Sequence, residues 1–184
     1  MSFGWKKEQK VKKKYIKDYV ATPEGKVKYC GKYFISDITD EERKQEGVVQ
    51  IIYGIVCVGL LLAALCIPCQ GSETIYVVIP LELAFICLWT YLTGSLAFLK
   101  SDNRMEEKDY DKAYQNPIQA LTVSILLYIF SFGGQIIGMV MNSATQEKGD
   151  LYFSMILFFV VVMSIVVWNR QRKVMRLVKE EDMK

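Results

Sequence analysis

The sequence predicts an all-α integral membrane protein. It is read as a four-transmembrane-helix bundle with a small basic N-terminal region that holds an amphipathic helix and a β-hairpin. Three observations carry this. Four windows, Val48–Ile67, Thr74–Leu99, Pro117–Asn142 and Leu151–Trp168, are almost free of charge. They hold 20, 26, 26 and 18 residues, and a bilayer's hydrocarbon core takes roughly 20 residues of helix. Lysine and arginine collect between the windows in alternation: twelve in residues 1–47, four in 100–116 and six from residue 169 onward, against Lys148 alone in the loops 68–73 and 143–150. Basic residues favour the cytoplasmic face. Both termini and the middle loop are therefore expected in the cytoplasm, and the location expected is a bacterial plasma membrane. The 184 residues divide into a cytoplasmic region 1–47, a membrane domain 48–168 and a basic tail 169–184.

The first twenty residues read as a basic amphipathic helix. Val11, Tyr15 and Tyr19 recur every four residues, with Lys6, Lys7, Lys10, Lys12, Lys13, Lys14 and Lys17 on the polar side. Such a helix lies on an anionic inner leaflet, gaining about 1 kcal/mol per basic residue near the surface. No nucleic-acid fold signature accompanies the lysines, so membrane lipid is the expected partner and nucleic acid is not. The segment lacks the apolar run of a secretory signal, and Ser2 stands where myristoylation needs glycine.

Pro23-Glu24-Gly25 is a turn signal, and Val27 and Tyr29 alternate with Lys26 and Lys28 as in a half-exposed strand. A hairpin is expected, extended to a three-stranded meander if Cys30-Gly31 also turns. It is too small to bury a core by itself and must pack on something else. Thr39 followed by Glu42 is a capping box; it opens a charged helix that runs into the first span. The middle loop is expected to continue the second helix and end at Pro117, a residue suited to a helix start. The tail after Trp168 is expected to continue the fourth helix, with Arg170, Arg172 and Lys173 reaching lipid headgroups.

Glu82 is the only formal charge inside the four windows. It lies eight residues beyond Thr74, roughly 12 Å into its span at 1.5 Å per residue. A charge at that depth is expensive and marks a functional site by default. Gln135 is seven residues from Asn142 on the neighbouring antiparallel helix, at similar depth. A Glu82–Gln135 hydrogen bond is expected, either as a proton or cation site or as interhelical glue. Gly59 with Ala63, and Gly134 with Gly138, are small-residue pairs four apart that would let helices pack closely.

Histidine is absent. That removes the commonest ligand of zinc and haem and the usual base of a nucleophilic triad, and no metal site is expected. Cys66-Ile67-Pro68-Cys69 ends the first span on the outer side. Four spans, cytoplasmic ends and a Cys-x-x-Cys just after the first span are similar to the DsbB-like disulfide-bond oxidoreductases. That resemblance implies electron transfer from an extracytoplasmic thiol carrier to a membrane quinone, with Cys66 and Cys69 as the pair nearest the quinone. It covers the topology and four residues. The second outer loop, "MNSATQEKGD", has no cysteine where that family carries another pair, and "QGSETIY" has no basic residue where the family places one.

Catalytic constellations are otherwise missing, while charged cytoplasmic segments are prominent. The leading expectation is a non-enzymatic accessory or interaction subunit of a membrane complex, needing no cofactor, with a membrane-protein partner or a second copy of itself. The alternatives are a small oligomeric transporter or channel using Glu82, and the quinone-linked thiol oxidoreductase using Cys66 and Cys69.

Overall fold

The structure, a computed structural model, describes residues 18–21, 27–69, 74–141 and 148–181. Four helices are long and apolar enough to cross a membrane: α1 (Asp40–Leu65), α2 (Ile75–Leu99), α3 (Glu107–Met141) and α4 (Lys148–Met175). Consecutive helices are antiparallel neighbours, and α1 also packs on α4, so the four close into a bundle.

Each helix buries one stripe. On α1 it runs through Gly47, Gln50, Tyr53, Cys57, Leu61 and Ala64. On α2 it runs through Val77, Leu81, Ala84, Leu88 and Tyr91. Steps of three and four residues average close to 3.5, the repeat that keeps a seam facing its neighbours in a left-handed bundle. The remaining faces are apolar and exposed, as a lipid-facing surface must be. The tightest contact is between α2 and α3. Gly94 lies so close to Pro117 that a side chain there would overlap the proline ring.

The capping box forms as expected. The Thr39 hydroxyl accepts from the Glu42 amide, and the Glu42 carboxylate accepts from the Thr39 amide. With Asp40, Glu41 and Glu42 in the first turn, the start of α1 complements its positive dipole end. The helix then continues without a break into the first span.

The connections depart from expectation. α2 does not extend through the middle loop; it stops at Leu99, and the loop supplies a strand, β4 (Arg104–Glu106). α3 begins at Glu107, ten residues before Pro117, which therefore sits inside a helix. A π-helical turn, Asp111–Gln115, ends two residues before it. Proline lacks an N–H and its ring crowds the carbonyl four residues back, and the wider turn accommodates both. The tail does continue α4 past Trp168 as expected, as far as Met175, and only then leaves the helix to form β5 (Val178–Glu180).

The N-terminal hairpin is present as β1 (Tyr19–Ala21) paired with β2 (Val27–Tyr29). Most of the amphipathic helix expected over the first twenty residues, with its lysines Lys6 to Lys17, lies outside the described residues; Tyr19, at its expected end, is in strand β1. The third strand, β3 (Tyr33–Ser36), does not extend the hairpin into a meander. It is the centre of a separate antiparallel sheet of order β4-β3-β5, with Ile35 opposite Arg104 on one side and Lys179 on the other. One strand precedes α1, one joins α2 to α3, and one follows α4. All three therefore lie at the same end of the bundle, here called the cap end.

The cap has its own core. Ile38, Phe98, Met105, Tyr110, Ala113, Tyr114 and Val174 are buried together. Phe34 of β3 stacks on Tyr110 at 4.1 Å, Tyr110 on Tyr114, and Tyr114 meets Phe98 edge-on. Sheet and helix ends are thus joined by a continuous aromatic column.

Candidate functional site

Glu82 and Gln135 are not bonded to each other. Glu82 lies on the exposed face of α2, between Ile79 and Ile86, which are 50% and 66% exposed. Leu81 and Ala84 take the inward positions of that turn, so the helical period carries residue 82 outward. Gln135 is buried and turns to α4 instead. Its amide nitrogen donates to the Asp150 carboxylate at 3.2 Å. Asp150 is also buried. It falls outside the apolar window starting at Leu151, but α4 begins earlier, at Lys148, and places Asp150 in its first turn, where the helix dipole favours a carboxylate.

The two small-residue pairs have different fates. A side chain at Gly134 would meet Tyr76 and Val77, and one at Gly138 would meet the Tyr76 hydroxyl, so this pair receives α2. Gly59 and Ala63 do not pack inside the bundle. Both are exposed, and a side chain at Gly59 would meet nothing within 4 Å.

Cys66 is the exposed C-cap of α1, and Cys69 is buried. Neither is in a disulfide. The turn between them presses on the start of α4, where a side chain at Gly149 would overlap the Pro68 carbonyl oxygen. The two thiols therefore differ in access, with Cys66 the reachable one.

In the middle of the bundle all four helices contribute to one polar belt. The Ser164 hydroxyl donates to the Val160 carbonyl at 2.6 Å. Its single proton is thereby used, so the Tyr53 hydroxyl, 2.6 Å away, is the donor of their shared bond. Cys57 lies beside both. Tyr91 packs edge-on against Tyr53 at 5.5 Å between ring centroids. The hydroxyls of Tyr91 and Tyr128 are buried and make no hydrogen bond with the described residues. Interhelical bonds of this kind contribute about 0.6 kcal/mol on average in a membrane, and the belt's clearest role is to select helix partners and register. The sequence did not single out any member of this belt; its tyrosines were hidden among aromatic residues that equally suit a lipid surface.

At the cap end the polar chemistry is dense. Arg43 is buried, and its guanidinium donates to the Ser101 carbonyl and to the Asn103 side chain, with Asp40 at 3.4 Å. It ties the start of α1 to the α2–β4 loop. The hairpin is tied down as well. The Tyr19 hydroxyl donates to the Glu106 carboxylate at 2.5 Å, and the Glu107 amide donates to the Tyr29 hydroxyl. Burial raises the Tyr19 phenol above its ordinary range, and the bond to Glu106 adds to the shift. Exposed ion pairs cross the sheet: Lys32–Glu180, Arg104–Glu181 and Lys179–Asp37. Of the three basic residues expected at headgroups, Arg170 pairs with Glu46 at 2.6 Å, Arg172 lies over the Trp168 ring, and Lys173 is exposed. Among the described residues, no group of three His, Cys, Asp or Glu could hold a metal ion.

No family model matches the chain, and neither a curated protein nor a solved structure is significantly similar to it.

Proposed function

We propose that this protein is a non-enzymatic, membrane-anchored interaction subunit that presents its cap to a partner in a membrane complex. The observation that carries this reading is the sheet β4-β3-β5. Three segments far apart in the chain are brought to one end of the bundle and locked there by Arg43, the aromatic column and the docked hairpin. A transmembrane bundle needs only short loops to close. The added cap is a folded surface of mixed charge; among the described residues its exposed large apolar side chains are Ile35 and Leu177, at 37% and 47%. Charged rims around small apolar patches are the usual anatomy of a protein contact. Among the described residues, every Lys and Arg except Lys148 lies in a segment at the cap end, which supports placing that end in the cytoplasm of a bacterial cell, with the plasma membrane as the location.

The test is photo-crosslinking from Ile35 and Leu177 in cells of native expression, followed by mild detergent extraction. A discrete adduct from both positions, lost on substituting residues of the sheet, is expected. Recovery of the protein alone, with no adduct, sinks the reading.

The exposed position of Glu82 favours a second reading, an oligomeric transporter or channel. A carboxylate facing lipid at this depth costs about 3 kcal/mol on insertion scales. A second copy covering it would remove that cost and would place any pathway between subunits rather than inside one. Proton-coupled flux in proteoliposomes that is unchanged by Glu82→Gln rules this out.

A further inference from the structure

Where α3 and α4 leave the membrane toward the cap, their outer surfaces leave an open groove of about 550 Å³. Its walls are of two kinds. Ile118, Val123 and Met175 are apolar, and Gln119, Thr122, Trp168 and Arg172 are polar or amphipathic. The polar members are held in place. The Trp168 indole N–H donates to the Thr122 hydroxyl at 2.9 Å, which fixes the ring across the groove. The Arg172 guanidinium lies 4.7 Å from the centroid of that ring. No described carboxylate pairs with Arg172, in contrast to Arg170, two residues back and on the other side of the helix, which Glu46 neutralises. Lys173 and Arg176 are exposed beside it.

The levels in the bilayer agree with this chemistry. Trp168 closes the apolar window of α4, and indoles favour the membrane interface. Arg172 is four residues further along, roughly 6 Å at 1.5 Å per residue. The headgroup layer is about 5–8 Å thick on each side of the hydrocarbon core, so the guanidinium reaches phosphate level. On the membrane side of the groove the same stripes continue as Leu126 and Ile165, exposed at 53% and 40%.

The geometry points to a defined binding site for an anionic glycerophospholipid. The Arg172 guanidinium takes the headgroup phosphate, Gln119 offers its amide, and the first carbons of an acyl chain lie along Val123 and the Trp168 ring. This goes beyond a diffuse attraction of basic residues to the leaflet, because it assigns one lipid to one groove. It is also independent of whether the cap binds a partner.

Native mass spectrometry of the full-length, detergent-extracted protein titrated with phosphatidylglycerol or phosphatidylcholine tests the site. Phosphatidylglycerol is expected to be retained in preference to phosphatidylcholine, at one lipid per chain. Arg172→Gln should weaken retention about five-fold, the value of one basic residue near an anionic surface. Trp168→Leu should also weaken it, although the charge is unchanged. Lys173→Gln, the same charge change outside the groove, should have less than half the effect of Arg172→Gln. Inorganic phosphate at equal concentration should not displace the lipid. Equal retention of both lipids, equal loss from Lys173→Gln and Arg172→Gln, no loss from Trp168→Leu, or displacement by phosphate would each overturn the assignment.

Discussion

Replacing Arg43 by methionine should open the cap while leaving the bundle closed. Methionine keeps most of the aliphatic volume and removes the guanidinium. Two hydrogen bonds from a charged donor are lost, to the Ser101 carbonyl and the Asn103 side chain, each worth about 1.5–3 kcal/mol. Part of this is returned. The Arg43 Nε is buried without a partner, and removing such a group relieves about 1–3 kcal/mol. Asn103 and Asp40 are exposed and regain water. The net loss is therefore about 1.5–3 kcal/mol, or roughly ten- to 150-fold in a local opening equilibrium. Hydrogen exchange reads this directly. The β3–β4 pairing rests on the same loop, since the Ser36 amide donates to the Asn103 carbonyl. Exchange across residues 33–36 and 101–106 should accelerate by one to two orders of magnitude, with the stripes around Tyr53 and Tyr128 unaffected. Unchanged protection at the cap would refute the idea that Arg43 fastens it. Simultaneous loss of protection throughout would show that cap and bundle are one cooperative unit.

Three further outcomes follow from local geometry. Gly94→Ala forces a methyl group into Pro117 and should lower bundle stability by about 1–3 kcal/mol, whereas Gly59→Ala, with open space, should be neutral or slightly stabilising in thermal unfolding; a destabilised Gly59→Ala would reveal a contact with another chain. Burial and the bond to Glu106 raise the Tyr19 phenol above its ordinary value of 10.0, so its contribution to docking the hairpin is fully present below about pH 10 and lost as pH rises toward the folded value; protease sensitivity of the hairpin should climb there in wild type and less steeply in Tyr19→Phe, where the Tyr29 phenol, also raised, still titrates. Maleimide should modify Cys66 quickly and Cys69 slowly in intact membranes, and equal rates would contradict the burial of Cys69 beneath α4.

The membrane helices were legible because length and lack of charge are long-range, redundant signals. The faces of those helices were not. In a soluble helix the apolar stripe identifies the buried side, but in lipid both sides are apolar, so Glu82 and Gly59 could be placed by depth and not by azimuth. That is why Glu82 was paired with Gln135, while the actual partner, Asp150, lay just past the window's edge. The hairpin could be read because its turn is local. The sheet β4-β3-β5 could not, because each of its strands has only three or four residues and its partners are about 70 and 140 positions away. Such pairings carry almost no periodicity, and the helical propensity of the flanking segments outweighs them. Arg43 was hidden for a related reason: a charged residue in a first helical turn reads as solvated until a distant loop folds over it.

The central claim is that segments from the N-terminus, the middle loop and the tail close into one cap at the same end of the bundle. Paired cysteines test it most directly. Ile35 and Lys179 face each other on β3 and β5, and directly opposed antiparallel residues have Cα atoms about 4.5–5.5 Å apart, within reach of a disulfide. In a chain whose five native cysteines are replaced by alanine, Ile35→Cys with Lys179→Cys should oxidise rapidly to an intrachain disulfide in membranes, while Ile35→Cys with Glu180→Cys, on opposite faces, should not. Failure of the opposed pair to link, or equal linking by both pairs, would contradict the cap.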